Sequence, residues 1–387
     1  MTPHDIFNAR HYTGVRKPLL SADQMPGWCY TDAAFYRREV ERLFMTGTWH
    51  LVGRADAVPN PGDFFVAELV GVSTIVVRDA AGEIRAFANL CRHRGAPLAE
   101  GSGTCSTFKC PYHGWSFATD GRLRGAPGMN RAEDFDPAAY GLIPVRLEMW
   151  GGFAFICFDA EAPDLMTFLG DMPERIASHE PETMVGVRTQ THVLDCNWKL
   201  WVENFMEPFH IPTVHKRSIS LQEVENTPEE TDGSYLSIYE KHVGTRALIK
   251  GDPGFPPIPT LTGKAAEGTR FILIYPAAML AVTTDTIWSM QCQPLGPDKT
   301  RLIVTQCFPK ATLERDDYQA LVPNYFKRID ISIPEDNDIA MLQHKGIASP
   351  LYKPGRFSHL EPLVHTIGNW VLDRVLDPEP QAAAAAE

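Results

Sequence analysis

The chain has no apolar run long enough to cross a bilayer. The longest, from Phe271 to Val282, is interrupted by Pro276, whereas a membrane helix needs about 20 apolar residues. Its opening, MTPHDIFNARHYTG, has no basic stretch leading into an apolar block, so a secretory signal is not expected. No GxGxxG follows a strand-like run, so NAD and flavin are expected on some other chain. There is no basic excess either. The 36 Lys and Arg face 48 Asp and Glu, and a formal net charge of -12 argues against nucleic acid or an anionic membrane as partner. Eight cysteines among 387 residues are too sparse for a disulfide framework, and a reducing cytoplasm suits them. No internal repeat is present.

What is there reads as globular: 44% of residues are apolar and 22% charged. The length calls for two packed units. Residues 22–46 predict a helix from Thr31 onward, capped by Thr31 or Asp32, with an apolar stripe of Tyr36, Val40, Leu43 and Phe44. From Trp49 the texture changes to short alternating runs. DFFVAELVG, VSTIVVRDAAGEIRAFANL, FKCPYHGWSFATDGRL and WGGFAFICF predict strands, with DAAGE and TDGR as turns.

Beyond Pro163 the pattern is mixed. A helix near 163–179 precedes the strand-like TQTHVLDCNWKL, and a helical stretch from Trp201 is interrupted by Pro208 and Pro212. Residues 220–262, rich in Pro, Gly and charge, predict mobile cover. FILIYPAAMLAVTT, TIWSMQCQPLG and TRLIVTQCFPK predict an antiparallel meander, and the last hundred residues return to helix. QAAAAAE is a low-complexity tail outside the fold argument. The expectation is an α+β chain: residues 1–46 a helical segment packed on the second unit, 47–160 all-β, and 161–387 an antiparallel sheet flanked by helices.

Two constellations carry chemistry. In the β unit, Cys91 and His93 of CRHRG are followed, after sixteen intervening residues, by Cys110 and His113 of CPYHGW. Each loop thus offers one thiolate and one imidazole. Two Cys on one iron and two His on the other describe a Rieske [2Fe–2S] centre, whose imidazoles raise the potential to roughly −150 to +300 mV. A structural zinc site is the bland alternative, but such sites usually pair Cys with Cys and His with His. Cys105 lies between the loops with no histidine beside it.

The second constellation lies in NWKLWVENFMEPFHIPTVH, where His210 and His215 are imidazole candidates. Two histidines and a later carboxylate on one face of a metal leave positions open for O2, as non-haem Fe(II) requires. Five residues apart on a straight helix, the two rings would point about 140° apart and could not share an ion. Pro208 and Pro212 must therefore distort the turn between them. Two unrelated surface histidines are the bland alternative.

NLCRHRGAPL, FKCPYHGWSF and the segment through His215 together resemble the alpha subunits of Rieske-type ring-hydroxylating oxygenases, over most of the chain. The resemblance implies an oxygenase with a [2Fe–2S] cluster and mononuclear Fe(II), fed by a separate reductase or ferredoxin and built as a head-to-tail homotrimer. It points to Asp336 in IPEDNDIAMLQHKG as third iron ligand, with Asp338 as runner-up and a solvated acidic helix start as the bland reading. It also implies that the carboxylate at Glu207, an Asp in most relatives, bridges the two metal centres. Some relatives acting on betaines and carnitine carry Glu there too, but they tend to place Cys right after the histidine, where this chain has Ile211. Glu203 and Asn204 are expected to support the site.

Val202, Phe205, Met206, Phe209, Phe271, Tyr275, Met279, Trp288 and Met290 are pocket candidates, although each taken singly reads more readily as core. The expected substrate is a small aromatic compound. A quaternary or methylated ammonium compound, held by cation–π contacts, and an electron-transfer protein without catalytic iron are the other two readings.

Overall fold

The computed structural model describes residues 5–216, 218–219 and 224–377, so the alanine-rich tail lies outside it. Alternation after Trp49 yields β1 (His50–Arg54), β2 (Asp63–Leu69), β3 (Val72–Arg78), β4 (Ile84–Ala88) and β5 (Ser102–Thr104). Three short strands follow, β6 (Thr107–Lys109), β7 (Ser116–Ala118) and β8 (Leu123–Gly125), then β9 (Pro144–Trp150) and β10 (Phe153–Cys157). Among the described residues they form a seven-stranded antiparallel sheet, in the order β1-β10-β9-β4-β3-β2-β5, and a three-stranded sheet, β6-β7-β8. WGGFAFICF is not one strand, because Gly151 and Gly152 turn β9 back into β10. Ile75, Val77, Phe87, Phe108 and Phe117 pack with Cys91 and Cys110 into a core that seats both cysteine loops.

The second sheet is built from β11 (Met184–Leu194), β12 (Glu225–Glu229), β13 (Tyr235–Lys241), β14 (Gly268–Ile274), β15 (Ala278–Val282), β16 (Ile287–Gly296) and β17 (Lys299–Pro309). Its order is β11-β17-β16-β15-β14-β13-β12, so the expected meander forms the centre. Residues 224–262 are not loose cover. β12 and β13 extend the sheet, and Phe255 stacks on Tyr325 with ring centroids 5.0 Å apart. The charge that suggested a solvated loop is satisfied instead. Glu229 pairs with Arg270 at 3.0 Å and Lys264 at 2.9 Å, and β13 is buried from Tyr235 through Glu240. Residues 220–223 of that stretch lie outside the described ones.

Five helices matter here: α1 (Ala33–Glu39), α2 (Trp198–Phe205), α3 (Ile211–Val214), α4 (Tyr318–Ile347) and α5 (Pro362–Val375). Asp32 caps α1, its Oδ1 accepting from the Ala34 and Phe35 amides. The helix buries Phe35 and Glu39, while Tyr36 and Val40 of the expected stripe are half-buried. CNWKL is not strand: Asn197 ends the extended run and caps α2 through the Lys199 amide at 3.1 Å. α1 is fastened to α2 by Lys199 and Glu39, both fully buried, with Nζ 2.6 Å from Oε1.

Candidate active site

The two cysteine loops share a local geometry that follows from their sequence. In each, the amide four residues on, Gly95 or Gly114, donates to the cysteine carbonyl, at 2.9 and 3.1 Å. The cysteine amide in turn donates to the carbonyl five residues on, Ala96 or Trp115, at 2.8 and 2.7 Å. Gly95 and Gly114 sit at φ +75° and +74°, a conformation that a side chain resists. Only the second loop is a hairpin; the first leaves β4 and reaches β5 at the far edge of the sheet.

Cys91 and Cys110 are buried, whereas His93 and His113 are exposed, their ring centroids 4.7 Å apart. Trp115 stacks on His93 and Tyr112 on His113. No three of these four converge within 4.8 Å, unlike the second site described next. A single tetrahedral zinc would draw all four ligands onto one point. Two buried sulfurs beneath two outward imidazoles suit a two-iron cluster instead.

In the second site α2 ends at Phe205, and Pro208 occupies the break before α3. His210 and His215 flank that single turn as its two caps, which removes the 140° conflict of a continuous helix. Pro208 lies in the break itself. Pro212 lies in the first turn of α3, where its missing N–H is not needed, so it does not distort the turn as expected.

His210 and His215 converge with Asp336: one ligand atom from each lies within 4.8 Å of the others. Asp336 Oδ1 stands 2.9 Å from His215 Nε2 and 3.5 Å from His210 Nε2. Asp336 lies in the middle of α4, not at a helix start, and Asn204 Nδ2 donates to its Oδ1 at 2.9 Å. Two imidazole nitrogens and one carboxylate are the donor set expected for non-haem Fe(II).

Each imidazole is held from behind by a carboxylate. Glu207 Oε1 lies 2.8 Å from His210 Nδ1, and its Oε2 accepts the His210 amide at 3.0 Å. Burial disfavours the charged imidazole, but Glu207 and Asp336 outweigh it and raise the pKa of His210. His215 Nδ1 meets Glu335 Oε2 at 2.7 Å, and Ser218 Oγ donates to the same oxygen at 2.6 Å. A Nδ1–H given to a carboxylate leaves Nε2 as the ligand atom.

Sequence reasoning took the Glu335–Asp336 pair for its aspartate alone and missed Glu335. Glu203 does not reach the triad; it accepts from Tyr30 Oη at 3.0 Å, and burial pushes its pKa up to about 8.

A cavity opens over the triad, between α2, α4 and the sheet. Of the expected lining, Phe205, Phe271, Trp288 and Met290 face it, joined by Trp201, Ile333 and Arg328. Val202, Met206, Tyr275 and Met279 are instead packed into the core, Tyr275 stacked on Trp370 with centroids 4.2 Å apart. Phe209 is 52% exposed.

Residues 48–138 match the Rieske [2Fe-2S] domain and residues 181–377 the ring hydroxylating alpha subunit (catalytic domain). The choline monooxygenase of Beta vulgaris is 30% identical, over 96% of this chain and 81% of that protein. The glycine betaine monooxygenase oxygenase subunit of Chromohalobacter salexigens is 28% identical, over 86% and 81%. Naphthalene 1,2-dioxygenase from a Rhodococcus species shares the fold with a TM-score of 0.80, at 19% identity over 98% of this chain and all of the other. The α+β architecture expected from the sequence is thus the architecture of a known oxygenase. With both of its parts matched, the chain belongs to the ring-hydroxylating alpha subunits, Rieske non-haem iron oxygenases that carry a [2Fe–2S] cluster and a mononuclear iron.

Proposed function

We propose that the chain is a terminal oxygenase acting on a quaternary or methylated ammonium compound, with electrons from a separate reductase. The observation that carries this reading is the aromatic wall over the triad. Trp201 stacks on Phe205 at 6.2 Å between centroids, and Phe205 meets Phe271 edge to face at 5.6 Å. Such faces attract a cation that cannot donate hydrogen bonds, each by about 0.5–2 kcal/mol. The ammonium substrates named for the Beta and Chromohalobacter relatives support it over the aromatic substrate expected at first. The reading as an electron-transfer protein without catalytic iron falls with the matched catalytic domain.

In this reading Cys91, His93, Cys110 and His113 hold the cluster, and His210, His215 and Asp336 hold the iron. The iron, when bound, supplies a site where O2 is reduced beside the substrate. Glu207 and Glu335 fix the tautomers of the two histidines, Asn204 holds the Asp336 carboxylate, and the apolar wall keeps bulk water away. Residues 1–46, 47–160 and 161–387 are the units we assign, and a head-to-tail homotrimer is the assembly.

The test is substrate-triggered O2 uptake with a generic reductase, run across betaines, choline and aromatic acids. Uptake is expected with ammonium compounds and not with aromatic acids. The opposite pattern overturns the reading.

A further inference from the structure

The cavity over the triad holds a charge that the metal site does not use. Arg328, on α4, is 5% exposed and lines the cavity with Ser332 and Asp336. Burying a guanidinium is costly unless a carboxylate meets it. The neighbouring Arg246 has such a partner, its Nε donating to Glu240 at 2.8 Å. Arg328 has no ion pair among the described residues. Its Nη1 donates to Ser332 Oγ, its Nε finds no acceptor, and its Cζ lies 5.2 Å from the Trp288 ring centroid. Burial, then the nearby Arg246, push its pKa down to about 10, which still leaves it charged at neutral pH.

We propose that Arg328 binds the carboxylate of the substrate, so that the ammonium compound is a small zwitterion of the betaine type and not an amino alcohol. This rests on the ammonium reading given above. The helix supplies a ruler. Arg328 bonds to Ser332, and Ser332 lies four residues, about 6 Å along the axis, before Asp336, so the guanidinium is held about one turn from the triad. The oxidised carbon lies beside the triad, and the anion must therefore lie about one helical turn away. An N-methylated amino acid spans that interval, with its cationic head against Phe205 and Phe271 and its carboxylate on Arg328. An alcohol in the same place gives the guanidinium no direct ion pair, since Asp336, Glu240 and Glu335 act on it only at a distance, and a guanidinium fork matches a carboxylate in two parallel hydrogen bonds.

The experiment compares N,N,N-trimethylglycine, its methyl ester and choline on enzyme loaded with both metals, by calorimetric affinity and by O2 uptake. The ester keeps the shape and removes the charge. The acid is expected to bind at least ~30-fold more tightly than ester or choline, the loss typical of an unpaired buried charge. Arg328→Gln should bring the acid down to the level of the ester while changing the ester little, and Arg328→Lys should retain part of the gap. If Arg328→Gln fails to fold, the wild-type acid-to-ester ratio and Arg328→Lys decide. An ester that binds as well as the acid, or a gap that survives at Arg328→Gln, overturns the proposal. An aromatic acid bound through Arg328, with every ammonium compound silent, overturns only the ammonium reading.

Discussion

At the scale of single residues, the ligands were legible because Cys and His in paired spacing are rare outside metal sites. The groups that hold those ligands were not, because an acidic residue in a helix is common. Glu335 and Asp336 illustrate why. Neighbours on a helix point about 100° apart, so one carboxylate reaches His215 from behind while the next meets its front. The sequence signal existed as an ED pair, but nothing in it assigned two roles. Arg328, Ser332 and Asp336 recur every four residues along one face of α4, a pattern that becomes readable once Asp336 is known to face a cavity. Glu335→Gln should leave the cluster spectrum intact and weaken ferrous iron binding by about 10- to 100-fold, because the tautomer of His215 is no longer enforced. Competition with a ferrous chelator measures this, and unchanged affinity would remove Glu335 from the site.

At the scale of elements, strands dominated by apolar residues were read correctly, whether they alternate like β17 or are buried throughout like β15, and those whose charges are neutralised across the sheet were not. β12 and β13 lay hidden in a stretch rich in Pro and charge because Glu229 finds Arg270 and Lys264 only after the sheet forms. The same holds for the attachment of α1 to α2. Glu39 looks like a solvated helix residue, yet it is fully buried against Lys199, and Trp198 Nε1 reaches it at 3.3 Å. Removing one partner strands the other charge in the core. Lys199→Met should therefore destabilise the fold by about 3–5 kcal/mol, whereas Lys199→Met combined with Glu39→Leu should recover most of that loss. Thermal midpoints of the two variants decide it. A double variant no better than the single one would mean that packing, not charge, is what the pair supplies. Because α2 carries Asn204 and leads through a short break to His210, loosening α1 should also lower iron occupancy.

At the scale of the whole molecule, the electrons have to travel from the cysteine loops to the triad. Among the described residues no hydrogen bond or ring contact joins the loops at 91–95 and 110–115 to Glu207 or to either iron-site histidine. His93 and His113 face outward, available to a second copy of the chain. Glu207 lies between two spaces: it lines the cavity over the triad, and also a separate cleft with Tyr30, Gln343, Phe357 and Glu361. Both of its oxygens serve His210. A carboxylate oxygen nonetheless has a second lone pair, so Oε2 can also accept the ring N–H of a neighbour's imidazole arriving through the cleft. Glu207→Gln should then keep both metals and the proposed trimer, yet slow the oxidation of a pre-reduced cluster by O2, in the presence of substrate, by roughly 10- to 100-fold or more. Glu207→Asp should be milder, since it keeps the charge and shortens the reach by one methylene. The measurement is stopped-flow recovery of the oxidised cluster absorbance, with metal content and mass determined on the same sample. Iron lost from Glu207→Gln would make Glu207 a ligand and return the role of Asp336 to question. Oxidation at the wild-type rate, with iron and assembly intact, would mean that the electron takes a path that does not pass through Glu207.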